Sequence, residues 1–217
     1  MPELPVTFPC GSLRLEGRLS MPSGDGPVAG VVVCHPHPRM GGSMDNNVAD
    51  ALCLTLAVAS IATLRFNFRG VGASEGEYGD GVEERQDAVA ALEFLASQPR
   101  MDRDRLGLAG YSFGASVAIP VALDNPLVKA VALVSPPLRG ESPDLLRRNS
   151  KPKLIIAGDE DDFFPIEVAQ GLVAELPEPK ELFVVSGADH FWYGREWEMA
   201  DKAVDFFRQY LGRNIQR

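Results

Sequence analysis

The stretch "RLGLAGYSFGASVA", residues 105–118, joins an apolar β-type run to a helix rich in small residues. Ser112 lies at the junction, with Gly110 two residues before it and Gly114 two residues after it. A strand that turns abruptly into a helix strains the backbone of the corner residue, and the flanking residues must then be small. The pattern predicts a turn that exposes the Ser112 hydroxyl as a candidate nucleophile. The simpler alternative is a serine that caps the helix.

The rest of the chain alternates short apolar runs with helical patterns. An N-terminal hairpin is expected first, followed by strands at 28–34, 61–68, 105–111, 127–135, 152–158 and 180–186, with helices between them and a last helix from 196. Strands separated by helices require crossover connections, which produce a mostly parallel sheet with helices on both faces. We therefore expect an α/β fold in a single domain that fills residues 1–217.

The charge and the cysteines limit the classes of partner and compartment. A net charge of −9 argues against binding to nucleic acid or to anionic membranes. We expect no secretory signal, because the first residues lack a basic segment followed by an apolar one, and no membrane helix. Cys10, Cys34 and Cys53 form no CxxC pair, which favours reduced thiols. The expectation is a cytoplasmic protein with a small-molecule partner, either a monomer or a homodimer.

A serine hydroxyl needs a base that removes its proton, and that base must be oriented by a third group. His190 follows the predicted strand 180–186 and is the only histidine after Ser112. Four consecutive acidic residues, 159–162, follow the predicted strand 152–158. The carboxyl ends of parallel strands meet at one edge of the sheet, so these groups are expected to converge. The order serine, acid, histidine is typical of a nucleophile on a central strand.

These motifs resemble a known superfamily over nearly the whole chain. "GYSFG" (110–114), "GDEDDFFP" (158–165) and "GADHFW" (187–192) look like the α/β-hydrolases. "CHPHPRMGGSMDNNV" (34–48) and "RFNFRGVGASEG" (65–76) narrow the resemblance to compact bacterial hydrolases without a cap, related to dienelactone hydrolases and small carboxylesterases. The resemblance implies an α/β-hydrolase fold and ester hydrolysis through a Ser-His-Asp triad, with no metal and no organic cofactor.

The family pattern also assigns roles to individual residues. It gives the acid to Asp161, with Asp162 as the fallback because four adjacent acids leave the register open. The residue after the nucleophile, Phe113, supplies one backbone amide to the oxyanion hole. The pattern implies that the amide of His37 is the second donor and that His35 orients this loop. A metal site that uses His35 and His37 is a weaker alternative, because no third ligand has a recognisable spacing.

Several other features leave alternatives open. Arg69 is expected to bind a carboxylate within the scaffold, such as Asp87, while a role of Arg69 or Arg39 in binding a substrate carboxylate is a minority hypothesis. The acidic stretch 75–84 is interpreted as a solvated loop before a helix. Trp192, Tyr193 and Trp197 could cover either the site or the core.

The interval 136–151 has space for one short helix, where many α/β-hydrolases insert a cap. The site is therefore expected to be open, with Met40, Leu138 and Phe163 as candidate pocket residues. An open site favours short or accessible acyl groups. The predicted function is a carboxylesterase-like serine hydrolase. The alternatives are a thioesterase, a lactone or small-peptide hydrolase with the same triad, and a non-catalytic binding protein on the same fold.

Overall fold

A computed structural model describes residues 3–138 and 140–212. These residues contain eight strands, namely β1 (Leu4–Cys10), β2 (Leu13–Ser20), β3 (Val28–Cys34), β4 (Ala62–Phe66), β5 (Met101–Tyr111), β6 (Val128–Val134), β7 (Lys153–Gly158) and β8 (Lys180–Val185). The strands form one sheet in the order β1-β2-β4-β3-β5-β6-β7-β8. The helices are α1 (Asn47–Val58), α2 (Glu84–Ala96), α3 (Phe113–Asp124), α4 (Ser142–Arg148), α5 (Ile166–Glu175) and α6 (Glu196–Leu211), and a short 3-10 helix spans Pro38–Met40.

The sheet is parallel from β4 to β8 and antiparallel at its N-terminal edge. β1 pairs with β2, and β2 pairs with β4, in antiparallel register, whereas the remaining neighbours run parallel. Crossover helices return each parallel strand to the same edge, so all the following loops leave from one rim. The α/β-hydrolase fold predicted from the sequence, with its mostly parallel sheet, is confirmed.

Two apolar clusters cover the two faces of the sheet. α1 and α6 pack on one face, and α2, α3, α4 and α5 contribute to the cluster on the other. All seven residues of β3 and all six of β7 are buried, as expected for strands covered on both faces. The three cysteines are buried and unpaired within this core. The rigid, doubly covered centre of the sheet fixes the rim from which the functional loops project.

Several strand boundaries differ from the sequence prediction, notably the end of β4 and the start of β5. The strand predicted over 61–68 ends at Phe66. The Ser74 hydroxyl bonds to the Glu16 amide and to the Asn67 carbonyl and so interrupts the pairing with β2. The Phe68 amide bonds to the ring of His35. β5 begins at Met101, four residues before the predicted start. Between β6 and β7 the only helix in the described residues is the seven-residue α4, which confirms the absence of a cap.

Candidate active site

Ser112 lies at the turn between β5 and α3, where its backbone has φ 50° and ψ −117°. Such positive-φ geometry is costly for a residue with a side chain and persists only where the surroundings enforce it. A Cβ on Gly110 would collide with the carbonyl of Gly114, and a Cβ on Gly114 would collide with the carbonyl of Cys34. Ser112 makes no side-chain cap bond to the helix. The capping alternative is therefore wrong, and the hydroxyl is free to face the rim.

His190 lies within hydrogen-bonding distance of Ser112. Its Nε2 is 3.0 Å from Ser112 Oγ, and its Nδ1 is 2.9 Å from Asp161 Oδ2. The hydroxyl of Tyr111, the residue before the serine, donates to the carbonyl of His190 at 2.5 Å. Tyr111 thereby ties the β8 loop to the end of β5, a role that nothing in the sequence predicted. The structure brings together the three side chains predicted to form the triad.

Asp161 is held in the orientation that faces the imidazole. Its side chain is fully buried, and its Oδ1 accepts the amides of Phe163 at 2.9 Å and Phe164 at 3.0 Å. Burial alone would raise the pKa of Asp161, but hydrogen bonds from His190, Ser135 and the Phe164 amide lower it below the usual aspartate value. Asp161 is therefore a carboxylate at neutral pH.

The neighbouring acids have other positions. Asp162 is exposed and makes no contact with His190 in the described residues. Asp159 accepts the Ser186 hydroxyl at 3.0 Å and the Gly187 amide at 2.6 Å, which joins the loops after β7 and β8. The geometry thus favours Asp161 over its fallback, Asp162, as the partner of the imidazole.

Two backbone amides are candidate donors to an oxyanion. The amide of Phe113 is the first of α3, and such amides have no acceptor within their helix. The amide of His37 donates to no other group in the part of the chain that the structure describes. The His37 and Phe113 rings lie 5.0 Å apart, so the two residues are neighbours at the rim. Phe113 directly follows Ser112 and His37 contacts Phe113, while the function of the two amides as oxyanion donors stays a prediction.

His35 is buried below this loop and is engaged through both ring nitrogens. Its Nδ1 lies 2.7 Å from the carbonyl of Pro36, and its Nε2 accepts the amide of Phe68 at 3.1 Å. This pattern requires a neutral ring with the proton on Nδ1. Burial lowers the pKa of His35 to about 4. As predicted, His35 orients the loop, and it could bind a metal only by losing one of these bonds.

The loop before α2 supports the 35–42 segment in a way that sequence reasoning missed. Tyr78 Oη lies 3.1 Å from His37 Nε2, and the Tyr78 ring packs 5.8 Å from that of Phe113. Glu84 is fully buried and accepts the amides of Gly79 and Gly81, each at 2.8 Å. The interpretation of residues 75–84 as a solvated loop is therefore wrong for Glu84. Its carboxylate accepts hydrogen bonds from two backbone amides instead of from water.

Arg69 and Asp87 form a buried ion pair in the scaffold. Arg69 Nη2 donates to Asp87 Oδ1 at 2.7 Å, and the Arg69 amide donates to Oδ2 at 3.0 Å. These bonds raise the pKa of Arg69 above its usual value. The scaffold role predicted for Arg69 is confirmed, and its guanidinium is not available to a substrate. Arg39 instead lies over the ring of Tyr78, with 4.5 Å between the guanidinium carbon and the ring centroid.

The candidate pocket residues differ in their surroundings. Met40 and Phe163 are 76% and 59% exposed at the rim. Leu138 lines a cavity of about 280 Å³ between α4 and α5, and none of the three triad residues lines that cavity. Trp192 is buried and belongs to the core, whereas Tyr193 and Trp197 are exposed. The pocket assignment stays a prediction, and its three residues do not form one enclosed cavity.

Over residues 3–138 and 140–212, no group of three or more histidine, cysteine or acidic side chains could hold a metal ion. Within the same ranges, every helix is too short or too polar to cross a bilayer.

Comparison with known proteins places this site in a family. Residues 77–206 match the model of the dienelactone hydrolase family. The chain belongs to this family. An uncharacterized protein of Rickettsia prowazekii is 31% identical over 215 residues, which cover 95% of this chain and 88% of the relative. The chain is thus a dienelactone hydrolase-like α/β serine hydrolase, as the sequence resemblance predicted.

Solved structures and an esterase extend the comparison. An α/β serine hydrolase homologue from Coxiella burnetii is 35% identical, with a TM-score of 0.85 over 94% of this chain and 97% of that one. An α/β serine hydrolase without a lid from Xanthomonas campestris is 27% identical, with a TM-score of 0.85 over 99% and 98%. Esterase FrsA of Escherichia fergusonii is 32% identical over 144 residues, 63% of this chain and 32% of FrsA. This member of the dienelactone hydrolase family is therefore an esterase-like hydrolase.

Proposed function

We propose that this enzyme hydrolyses carboxylic esters with short or accessible acyl groups, using Ser112 as nucleophile, His190 as base and Asp161 as the orienting acid. The observation that carries the proposal is the unbroken contact chain from Ser112 Oγ through both nitrogens of His190 to Asp161, with distances of 3.0 and 2.9 Å. This is the geometry that an activated serine requires.

In the first half-reaction, Ser112 Oγ attacks the ester carbonyl carbon while Nε2 of His190 takes the hydroxyl proton. Asp161 stabilises the resulting imidazolium through Nδ1. The carbonyl oxygen becomes an oxyanion, which the amides of Phe113 and His37 stabilise. His190 then returns the proton to the leaving oxygen as the bond between carbonyl carbon and alcohol breaks. The products are an acyl-enzyme and an alcohol.

In the second half-reaction, water attacks the acyl carbon and His190 accepts one of its protons. Collapse of the second tetrahedral intermediate breaks the bond to Ser112 Oγ, which regains the proton from Nε2. The carboxylic acid leaves, and the enzyme returns to its starting state. No metal ion takes part in these steps.

The preference for accessible acyl groups rests on the absence of a cap. The described residues between β6 and β7 contain one helix, α4, of seven residues. Met40 and Phe163 remain open to solvent beside the loops of the site. A long acyl chain would therefore have little protein surface to enclose it. We expect kcat/KM for p-nitrophenyl esters to fall from acetate to long-chain esters.

Fluorophosphonate labelling followed by peptide mass spectrometry tests the assignment of the nucleophile. We expect modification at Ser112, no modification in Ser112→Ala, and sharply reduced labelling in His190→Ala. Ser116→Ala is the matched control, because Ser116 lies one turn later on α3 and should leave labelling intact. Labelling at another serine, or none in a folded wild-type protein, would contradict the proposed function.

A further inference from the structure

Three aromatic side chains form an exposed row that begins at the candidate base. The Phe163 ring lies 4.6 Å from the His190 ring and 6.3 Å from that of Phe191, which stacks at 6.4 Å and 16° on Tyr193. The exposed fractions are 59% for Phe163, 48% for Phe191 and 77% for Tyr193. We call these three residues the aromatic shelf. Single exposed aromatics are common, but a contiguous group beside a reactive side chain indicates a binding surface.

The local backbone does not depend on these rings. The Phe191 amide donates to Asp189 Oδ1 at 2.9 Å, and its carbonyl accepts from Asn47 Nδ2 at 3.0 Å. Between the two exposed rings, Trp192 is fully buried and its Nε1 donates to Ser135 Oγ at 3.1 Å. The buried Trp192 holds the loop in place, so the loop does not need the exposed rings of Phe191 and Tyr193 for its conformation.

The aromatic rings beside the predicted oxyanion donors pack against other side chains of the protein. His37, Tyr78 and Phe113 pack on one another with centroids 5.0 to 5.8 Å apart. The Tyr78 hydroxyl contacts His37, and Arg39 covers the Tyr78 ring. In contrast, the aromatic shelf keeps ring faces open to a ligand.

The position of the aromatic shelf beside His190 indicates which part of an ester would contact it. Nε2 of His190 must lie within hydrogen-bonding distance of the leaving oxygen to which it returns the proton. The oxyanion lies instead toward the amides of Phe113 and His37. A group attached to the leaving oxygen is therefore directed past the imidazole, where Phe163 and Phe191 lie 4.6 and 5.9 Å from the His190 ring.

We propose that the aromatic shelf binds the alcohol part of the substrate and that this part carries an aromatic ring, as in benzyl or aryl esters. This inference rests on the proposed function, because it uses the proton transfer from His190. Offset stacking and edge-to-face contacts with two or three rings add to the apolar area that an aromatic alcohol would bury. The substrate class is thus an ester of an aromatic alcohol with a small acid.

The test compares benzyl acetate with cyclohexylmethyl acetate, since both alcohols are primary and of similar size. We expect wild-type kcat/KM to favour the benzyl ester by roughly three- to tenfold. The double variant Phe191→Leu/Tyr193→Leu keeps the apolar character and the backbone bonds but removes two rings, so the ratio should fall close to one. Trp197→Leu is the control: Trp197 is an exposed aromatic outside the shelf and should leave the ratio unchanged.

Other outcomes would contradict the role proposed for the aromatic shelf and leave the assignment of Ser112 as nucleophile intact. If wild-type enzyme is labelled by fluorophosphonate at Ser112 but hydrolyses both acetates equally well, the preference for an aromatic alcohol is contradicted and the proposed function is not. A ring preference for ethyl phenylacetate over ethyl cyclohexylacetate that disappears in the double variant would assign the shelf to the acyl group. An unchanged ester ratio with an altered oligomeric state in the double variant would assign it to a protein contact. If folded wild-type protein neither hydrolyses esters nor is labelled by fluorophosphonate, the proposed function is contradicted as well.

Discussion

His35 and His190 both follow a strand at the same rim of the sheet, but their imidazoles have different partners. Backbone groups of Pro36 and Phe68 engage both nitrogens of His35, which is fully buried. A hydroxyl and a carboxylate engage the nitrogens of His190, whose side chain is 12% exposed. The contacts of the first ring fix a loop, whereas those of the second match the base that the proposed function requires. The partners of a histidine, more than its position after a strand, decide its chemistry.

The same contrast extends to the carboxylates behind each loop. Asp161 orients His190 at the rim, while Asp87 neutralises Arg69 inside the scaffold beneath the His35 loop. Both side chains are fully buried. Asp161 accepts the amides of Phe163 and Phe164 besides its contact with His190, and Asp87 accepts the amide of Arg69 as well as its guanidinium. Loss of the first carboxylate should therefore affect rate, and loss of the second should affect stability.

The largest effect is expected from Asp161→Asn. An amide in place of the carboxylate would no longer hold the imidazole in the tautomer that accepts the Ser112 proton, so kcat for p-nitrophenyl acetate should fall roughly 10⁴-fold. Asp162→Asn is the matched control and should retain near wild-type kcat, because Asp162 is exposed. A comparable loss in both variants would contradict the assignment to Asp161 alone, and a loss only in Asp162→Asn would exchange the two assignments.

The buried ion pair provides the next test, through Asp87→Ala. This change leaves the Arg69 guanidinium buried without its partner, and we expect the free energy of unfolding to fall by about 3–5 kcal/mol in urea titrations. Asp104→Ala removes an acid from the Lys129 pair, where Asp104 is 90% exposed, and should leave the urea midpoint nearly unchanged. Equal midpoints for the two variants would show that the Arg69 pair is not an internal support.

The smallest effect concerns the pH dependence of stability through His35. Burial lowers the pKa of His35 to about 4, below the value near 6.5 of an unfolded histidine. Between these values the unfolded chain binds a proton that the folded chain excludes, so stability from this residue falls as pH falls. The expected slope is up to about 1.4 kcal/mol per pH unit.

Urea unfolding from pH 7 to pH 4 measures this slope. His35→Gln should be less stable at pH 7 and should show a flatter dependence below pH 6.5. His37→Gln removes a half-buried histidine from the same loop and serves as the matched control. A wild-type slope that persists in His35→Gln would assign the pH dependence to other groups.

Much of the rim could be predicted from particular residues. The small residues around Ser112 predicted the strained turn, because a Cβ at position 110 or 114 has no space beside the backbone. The order of strands and helices predicted the parallel sheet and the short connection without a cap. The site was harder to complete, because Tyr111, Tyr78 and Glu84 support it through bonds to residues at least three positions away, and no local pattern marks those bonds.

Sequence alone therefore determined the fold class and predicted a nucleophile, with a short set of candidates for the base and the acid. These conclusions follow from local rules, namely apolar periodicity, the steric demand of a sharp turn and the chemistry of a few residue types. Only the tertiary structure brought Asp161 to the imidazole of His190, gave His35 and His190 different partners, and placed Trp192 in the core with Phe191 and Tyr193 outside it. Those choices depend on distances between loops that are far apart in the chain, and packing of the sheet and helices sets these distances.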